Sequence, residues 1–301
     1  MVTIRDILKS LLLFHVLIES PAKAITPIVL WHGLGDTCCN PLSLGGFATY
    51  LQKQCNGTKV VSLKIGSNFL EEMRSSYFMN SNLQVAQACK QIRQDPDLVD
   101  GYHAIGFSQG GQFLRAVAQR CPDPPMKILV SLGGQQQGVF GFPRCPGSSF
   151  TLCSYARRLL DYGAYWSWVQ NEIVPAQYWH DPLDEKTYKE KSIFLADINN
   201  EKTINETYKE NLIKLQKLIL VKFGADTIVQ PRESSWFGWY KPGQDKEVMD
   251  WKQTALYTED WIGLKTLDEA GKVALLDIPG ADHLQFSKDW FTENIVNRYF
   301  Q

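Results

Sequence analysis

The chain has 301 residues, of which 44% are hydrophobic and 21% charged, with a formal net charge of −1. That is apolar material for one large domain or two modest ones, and the near-neutral balance excludes the basic face that nucleic-acid binding requires. Residues 1–24 carry Arg5 and Lys9 near the start, an apolar centre over 11–18 and an A-x-A cleavage pattern at Ala22-Lys23-Ala24. This is the pattern of a removable secretory signal; an uncleaved interfacial anchor is the alternative. The apolar run is too short to span a bilayer, so no transmembrane segment is expected. Losing the segment takes away three basic and two acidic residues and leaves a net charge of −2.

Residues 27–31 form an apolar run that ends in His32-Gly33-Leu34-Gly35-Asp36, predicting a buried strand and a Gly-rich loop. A second strand is predicted over 60–65 and a helix over 81–95. The apolar stretch 102–105 precedes Gly106-Phe107-Ser108-Gln109-Gly110, and residues 112–118 have helical character. Further strands are predicted at 127–132, 218–223 and 273–276. Strands alternating with helices indicate an α/β fold with a mostly parallel sheet covered on both faces. The strand pattern stops between about 135 and 216, where the chain is rich in Tyr and Trp and reads as largely helical. The division expected is therefore a core of 25–134 and 217–301, interrupted by an insertion at 135–216. That insertion is expected over the sheet's carboxyl edge, forming part of an apolar groove together with Trp236-Phe237-Gly238-Trp239-Tyr240. The insertion's rings could equally be its own small core.

Strand, G-x-S-x-G, then helix is the order of the nucleophile elbow in α/β-hydrolases. Glycines two before and two after the serine keep side chains out of a turn that must approach its neighbours closely, and Ser108 is then the candidate nucleophile. A Gly-rich turn whose serine merely caps the helix is the alternative. A hydroxyl needs a base within hydrogen-bond reach, and the base needs an acid to orient it. In this fold they follow in the order Ser, acid, His. Two histidines follow Ser108. His283 directly follows the last apolar strand, whereas His180 lies in the insertion, so His283 is favoured as base. Asp226, just past the strand ending at Phe223, is favoured as acid over Asp282, whose side chain should point away from its neighbour His283. Two oxyanion donors are expected from backbone N–H groups, Gln109 at the helix start and Leu34 in the loop after the first strand. His32 precedes the serine and reads as structural.

Seven cysteines (38, 39, 55, 89, 121, 145 and 153) suit an oxidising compartment. With no C-x-x-C pair and no histidine cluster, no metal site is expected, and no cofactor is called for. The cysteine pairing is open at this level. Asn56-Gly57-Thr58 and Asn205-Glu206-Thr207 are glycosylation sequons.

The blocks 31–36, 38–42, 106–116, 178–182 and 280–285 together resemble the palmitoyl-protein thioesterase family, in its lysosomal, first-paralogue form, across essentially the whole mature chain. The resemblance implies an α/β-hydrolase that removes long fatty acyl groups from cysteine thioesters of S-palmitoylated proteins or peptides. It assigns Ser108 as nucleophile, Asp226 as acid and His283 as base. It also implies the pairs Cys38–Cys39, Cys89–Cys121 and Cys145–Cys153, with Cys55 free, and a lysosomal destination reached through a sorting receptor that reads N-glycans. The sequence around Asp226 and the presence of Cys55 depart from the family pattern. The competing functions are a secreted lipase or carboxylesterase with the same triad, and a lipid carrier with a vestigial one.

Overall fold

The computed structural model describes residues 25–141 and 163–300. Its strands are β1 (Ile28–Trp31), β2 (Val60–Ser62), β3 (Tyr102–Phe107), β4 (Met126–Leu132), β5 (Lys217–Phe223), β6 (Trp239–Tyr240), β7 (Val248–Met249) and β8 (Val273–Ile278). Six of them pair in parallel in the order β2–β1–β3–β4–β5–β8, while β6 and β7 make a separate antiparallel pair. The central strands are apolar nearly throughout because both sheet faces are covered. With the side-chain period of two, Val29, Trp31, Ala104, Leu129, Leu218 and Leu220 enter one core, and Ile28, Leu30, Ile105, Val130, Ile219 and Val221 enter the other. The strand expected over 60–65 stops at Ser62, after which Leu63 and Ile65 remain buried outside the ladder.

The described helices flanking the sheet include α1 (Leu44–Gln54), α2 (Phe69–Tyr77), α3 (Ser81–Gln94) and α4 (Gln109–Arg120). Val85 and Ile92 of α3 and Phe113 and Leu114 of α4 fill the first core. Phe47 and Leu51 of α1, with Phe291, Ile295 and Val296 near the carboxyl terminus, fill the second. Cys89 of α3 is bonded to Cys121 at the end of α4, and Cys38 to Cys39 in the loop after β1. The pair Cys145–Cys153 and the signal segment 1–24 lie outside the described residues. Cys55 is a buried free thiol whose pKa burial pushes up.

In the insertion, short helices at Ser167–Glu172, Val174–Gln177, Glu185–Lys191, Leu195–Ile198 and Glu206–Leu212 follow one another. It is fastened to the elbow helix by Arg115, a fully buried residue of α4. The guanidinium donates to the Ile198 carbonyl at 2.8 Å, to Asn199 Oδ1 at 2.7 Å and to Gln136 Oε1 at 2.8 Å, and lies over the Phe237 ring. Each guanidinium nitrogen has an acceptor, the condition under which an arginine is tolerated inside; burial nonetheless pulls its pKa to about 9.

Candidate active site

Ser108 sits between the end of β3 and the start of α4 with φ 53° and ψ −125°, a left-handed backbone that a non-glycine residue adopts only where surroundings enforce it. Two close approaches explain the flanking glycines. A Cβ on Gly106 would lie 2.2 Å from the Gly110 carbonyl oxygen, and one on Gly110 would lie 2.6 Å from that of Trp31. Backbone cannot yield there as a side chain would, so both positions exclude any larger residue. The Ser108 N–H donates to the Leu132 carbonyl at 2.8 Å, which anchors the turn to the neighbouring strand.

His283 Nε2 lies 2.9 Å from Ser108 Oγ, and its Nδ1 lies 2.7 Å from Asp226 Oδ2. The Asp226 side chain has no exposed surface. Its other oxygen accepts the N–H groups of Ile228 and Val229, each at 2.8 Å. The carboxylate is thus held in one orientation to accept a hydrogen bond from Nδ1–H, an arrangement that leaves the Nε2 lone pair facing the serine hydroxyl. Asp282 holds the loops together: Oδ1 accepts the N–H of His283 and that of Thr227, each at 2.8 Å, and the Thr227 hydroxyl at 2.9 Å. These bonds hold its pKa below the usual carboxylate range.

The two remaining histidines that the sequence singled out lie elsewhere. His180 is stacked between Tyr188 and Trp239 and is bonded to the Gln137 carbonyl and Glu185. His32 is buried against Trp31 with Nδ1 at 2.8 Å from the Gly33 carbonyl, and burial lowers its pKa. In the loop it begins, the N–H of Gly35 donates to Ser76 Oγ and that of Asp36 to the Gly33 carbonyl, whereas Leu34 lines the cavity that contains Ser108. Gln109 occupies the first position of α4, where a backbone N–H has no acceptor within the helix.

That cavity measures about 520 Å³ and is walled mainly by Leu34, Leu44, Phe47, Tyr77, Phe107 and Phe286, with Ser108 and His283 at its edge. No described residue of 135–216 lines it, nor does any of Trp236–Tyr240. Residues 142–162 of the insertion lie outside the described residues. Tyr178, Trp179 and Tyr188 are instead drawn into the main core, and Trp236 donates its indole N–H to the Leu220 carbonyl. The wall comes from the loop after β1, α1, the end of α2, the end of β3 and the loop that follows His283. Asn56 is exposed in the turn after α1, and Asn205 is exposed at the cap of the helix Glu206–Leu212. Among the described residues, no group of three or more His, Cys, Asp or Glu is placed to hold a metal ion.

One polar contact at the Ser108 hydroxyl escaped the sequence reading. Gln135 Nε2 lies 3.1 Å from Ser108 Oγ, and both side chains are buried. The only sequence signal was position, since Gln135 follows Gly133-Gly134 at the carboxyl end of β4, beside the elbow strand.

A parallel sheet carrying a strained serine elbow after β3, an aspartate after β5 and a histidine after β8 defines an α/β-hydrolase. The model of the family "Palmitoyl protein thioesterase" matches residues 27–283. Palmitoyl-protein thioesterase 1 of Caenorhabditis elegans is 52% identical over 274 residues, covering 91% of each chain. Palmitoyl-protein thioesterase 3 of Dictyostelium discoideum is 35% identical over 270 residues, covering 89% of this chain and 88% of that protein. Lysosomal thioesterase PPT2 of Bos taurus is 28% identical over 271 residues, covering 86% of this chain and 82% of that protein. The chain belongs to the palmitoyl protein thioesterase family.

Proposed function

We propose that this protein hydrolyses the thioester joining a long-chain fatty acyl group, palmitate above all, to cysteine in S-palmitoylated proteins or peptides. The observation that carries the reading is the hydrogen-bonded line Asp226–His283–Ser108 opening into an apolar cavity. His283 takes the Ser108 proton as Oγ attacks the thioester carbonyl, and Asp226 stabilises the imidazolium that forms. The N–H groups of Leu34 and Gln109 receive the charge developing on the carbonyl oxygen. The cysteine thiolate, whose conjugate thiol has a pKa of about 8.5, departs with little need of proton donation. Water activated by His283 then attacks the acyl-enzyme and releases the fatty acid.

Affinity for the acyl chain follows from its length. About fourteen methylenes at about 0.8 kcal/mol each offer on the order of 10 kcal/mol on full burial, before the entropy of ordering. The signal at 1–24, the exposed Asn56 and Asn205, and relatives named lysosomal thioesterases support passage through the secretory route. A lysosomal destination, with N-glycans read by a sorting receptor, belongs to the same proposal. None of the described helices is long and apolar enough to cross a membrane.

The test is a series of acyl thioesters from acetyl to palmitoyl, run on the wild type and on Ser108→Ala. Activity should climb with chain length and vanish in the variant, which should also resist fluorophosphonate labelling while unfolding at the wild-type temperature. Equal kcat/KM for acetyl and palmitoyl thioesters would remove the long-chain reading, and retained turnover in the variant would remove the nucleophile.

A further inference from the structure

We infer that Gln135 is a catalytic hydrogen-bond donor to Ser108 Oγ that acts mainly in the second half of the reaction, when the acyl-enzyme is hydrolysed. The inference rests on the triad reading above and adds a residue to it.

The proton count at Oγ fixes what Gln135 presents. His283 donates its Nδ1–H in a hydrogen bond to the Asp226 carboxylate, so its Nε2 accepts the single hydroxyl proton of Ser108. The remaining capacity of Oγ is for accepting, and a carboxamide oxygen placed 3.1 Å away would set two acceptors against each other. The group facing Oγ is therefore the Gln135 N–H, with Nε2 at 3.1 Å. Gln135 Oε1 is buried and has no hydrogen-bond partner among the described residues, so the bond to Oγ is the polar contact that orients the carboxamide.

The platform beneath it is rigid. Gln136 bridges the Arg115 guanidinium and the Ser131 hydroxyl. Gln137 receives the Asn199 carboxamide, its N–H donates to Ser234 Oγ, and its carbonyl faces His180 Nδ1. Three consecutive glutamines thus go to three destinations, and the anchoring of Gln136 and Gln137 leaves Gln135 aimed at the reacting oxygen.

A donor at Oγ assists only those steps in which Oγ gains negative charge relative to the state before it. In acylation the starting Ser108 hydroxyl already accepts this N–H, so the state before attack shares most of the stabilisation, whereas the ester oxygen of the acyl-enzyme is a poor acceptor and shares little of it. In deacylation, water adds its oxygen to the acyl carbon and gives a proton to His283 Nε2. The tetrahedral intermediate then collapses: the C–Oγ bond breaks, Oγ takes the electron pair, and His283 returns the proton to it. Here Oγ passes from an ester oxygen toward an alkoxide, and the Gln135 N–H strengthens its bond as that charge appears.

The experiment compares wild type with Gln135→Met, which keeps the reach but has no donor, and with Gln135→Ala as a second variant should the first disturb packing. Each is mixed rapidly with a soluble palmitoyl thioester while thiol release is followed. The expected result is a kcat lowered about tenfold, the scale of one lost hydrogen bond, with kcat/KM changed less than about threefold and KM lowered accordingly. Thiol should appear in a burst near one equivalent per enzyme, and intact mass should show the palmitoyl adduct on Ser108. Wild-type kcat without a burst, or an equal fall in kcat and kcat/KM, would overturn the inference. Fluorophosphonate labelling separates the two readings: a wild-type enzyme that fails to label defeats the triad itself. Normal labelling with no change in kcat in the variants defeats only the role of Gln135.

Discussion

His103 should make the fold acid-sensitive, and a single substitution should remove that sensitivity. It is the second residue of β3, at the end of the strand opposite the elbow, 7% exposed and stacked on Phe300 with ring centroids 4.8 Å apart. Its Nδ1 has no hydrogen-bond partner among the described residues. Burial, reinforced by the positive charge of Lys127, pulls its pKa from 6.5 down to about 4. Between those values the unfolded chain binds a proton that the folded protein refuses. Stability from this group is therefore complete above about pH 6.5 and is lost as the pH falls toward about 4. At about 1.4 kcal/mol for each pH unit the full window amounts to roughly 3 kcal/mol, of which about 2 to 3 kcal/mol is gone by about pH 4.5. That is a large share of the 5–15 kcal/mol typical of a folded domain. His103→Phe keeps an aromatic ring against Phe300 and has nothing to protonate. Urea unfolding of both proteins at about pH 7.5 and about pH 4.5 isolates the His103 contribution, because the carboxyls of Glu72 and Glu201, whose pKa values desolvation raises, act alike in both. The wild type should lose about 2 to 3 kcal/mol more than the variant over that interval. Equal losses would refute the reasoning, and a larger loss in the variant would reverse it.

Asp282→Ala should cut kcat about tenfold without unfolding the protein, since it frees the His283 loop from Thr227 but touches no core side chain; a wild-type kcat would show that the clamp is dispensable. Because the folded-state pKa of Asp282 is lowered, the clamp should be fully charged above the ordinary carboxylate range and weaken only as the pH falls through its lowered value. A pH profile of kcat that differs between wild type and variant only at neutral pH would contradict this. Gly110→Ala sets a Cβ 2.6 Å from the Trp31 carbonyl oxygen and 2.9 Å from that of His32. It should cost about 1–3 kcal/mol of stability and most of the activity, because the displaced backbone leads into the Leu34 loop. A fully active, equally stable variant would count against the close-packed elbow.

What the sequence made legible here is what local backbone chemistry dictates. Gly106 and Gly110 stand where the chain must pass within van der Waals contact of itself, and Asp226 and His283 each follow an apolar strand by a few residues. Parallel strands deliver such residues to one edge of the sheet, so their meeting in space follows from strand periodicity and chain order alone. The cavity wall had no comparable signal. Phe47 on α1 and Phe286 beyond His283 are ordinary apolar residues in sequence, and only the packing of α1 against the carboxyl-terminal segment turns their rings toward Ser108. Aromatic density was no guide to the described rings of the insertion: Tyr178, Trp179 and Tyr188 are buried in the main core, whereas Trp166 and Trp168 are exposed. Gln135, Gln136 and Gln137 mark the limit most sharply. They are chemically identical and adjacent, yet one faces Ser108, one meets the demands of buried Arg115 and one ties down the insertion. Their separate roles arise from the turn that begins at Gly133 and from partners far away in the chain, at Ser108, Asn199 and Ser234. A residue's chemistry is written at its own position, but its task is assigned by whatever the fold brings opposite it. The electrostatics of this site could therefore be assembled only after the loops after β3, β4, β5 and β8 had been brought to the same edge.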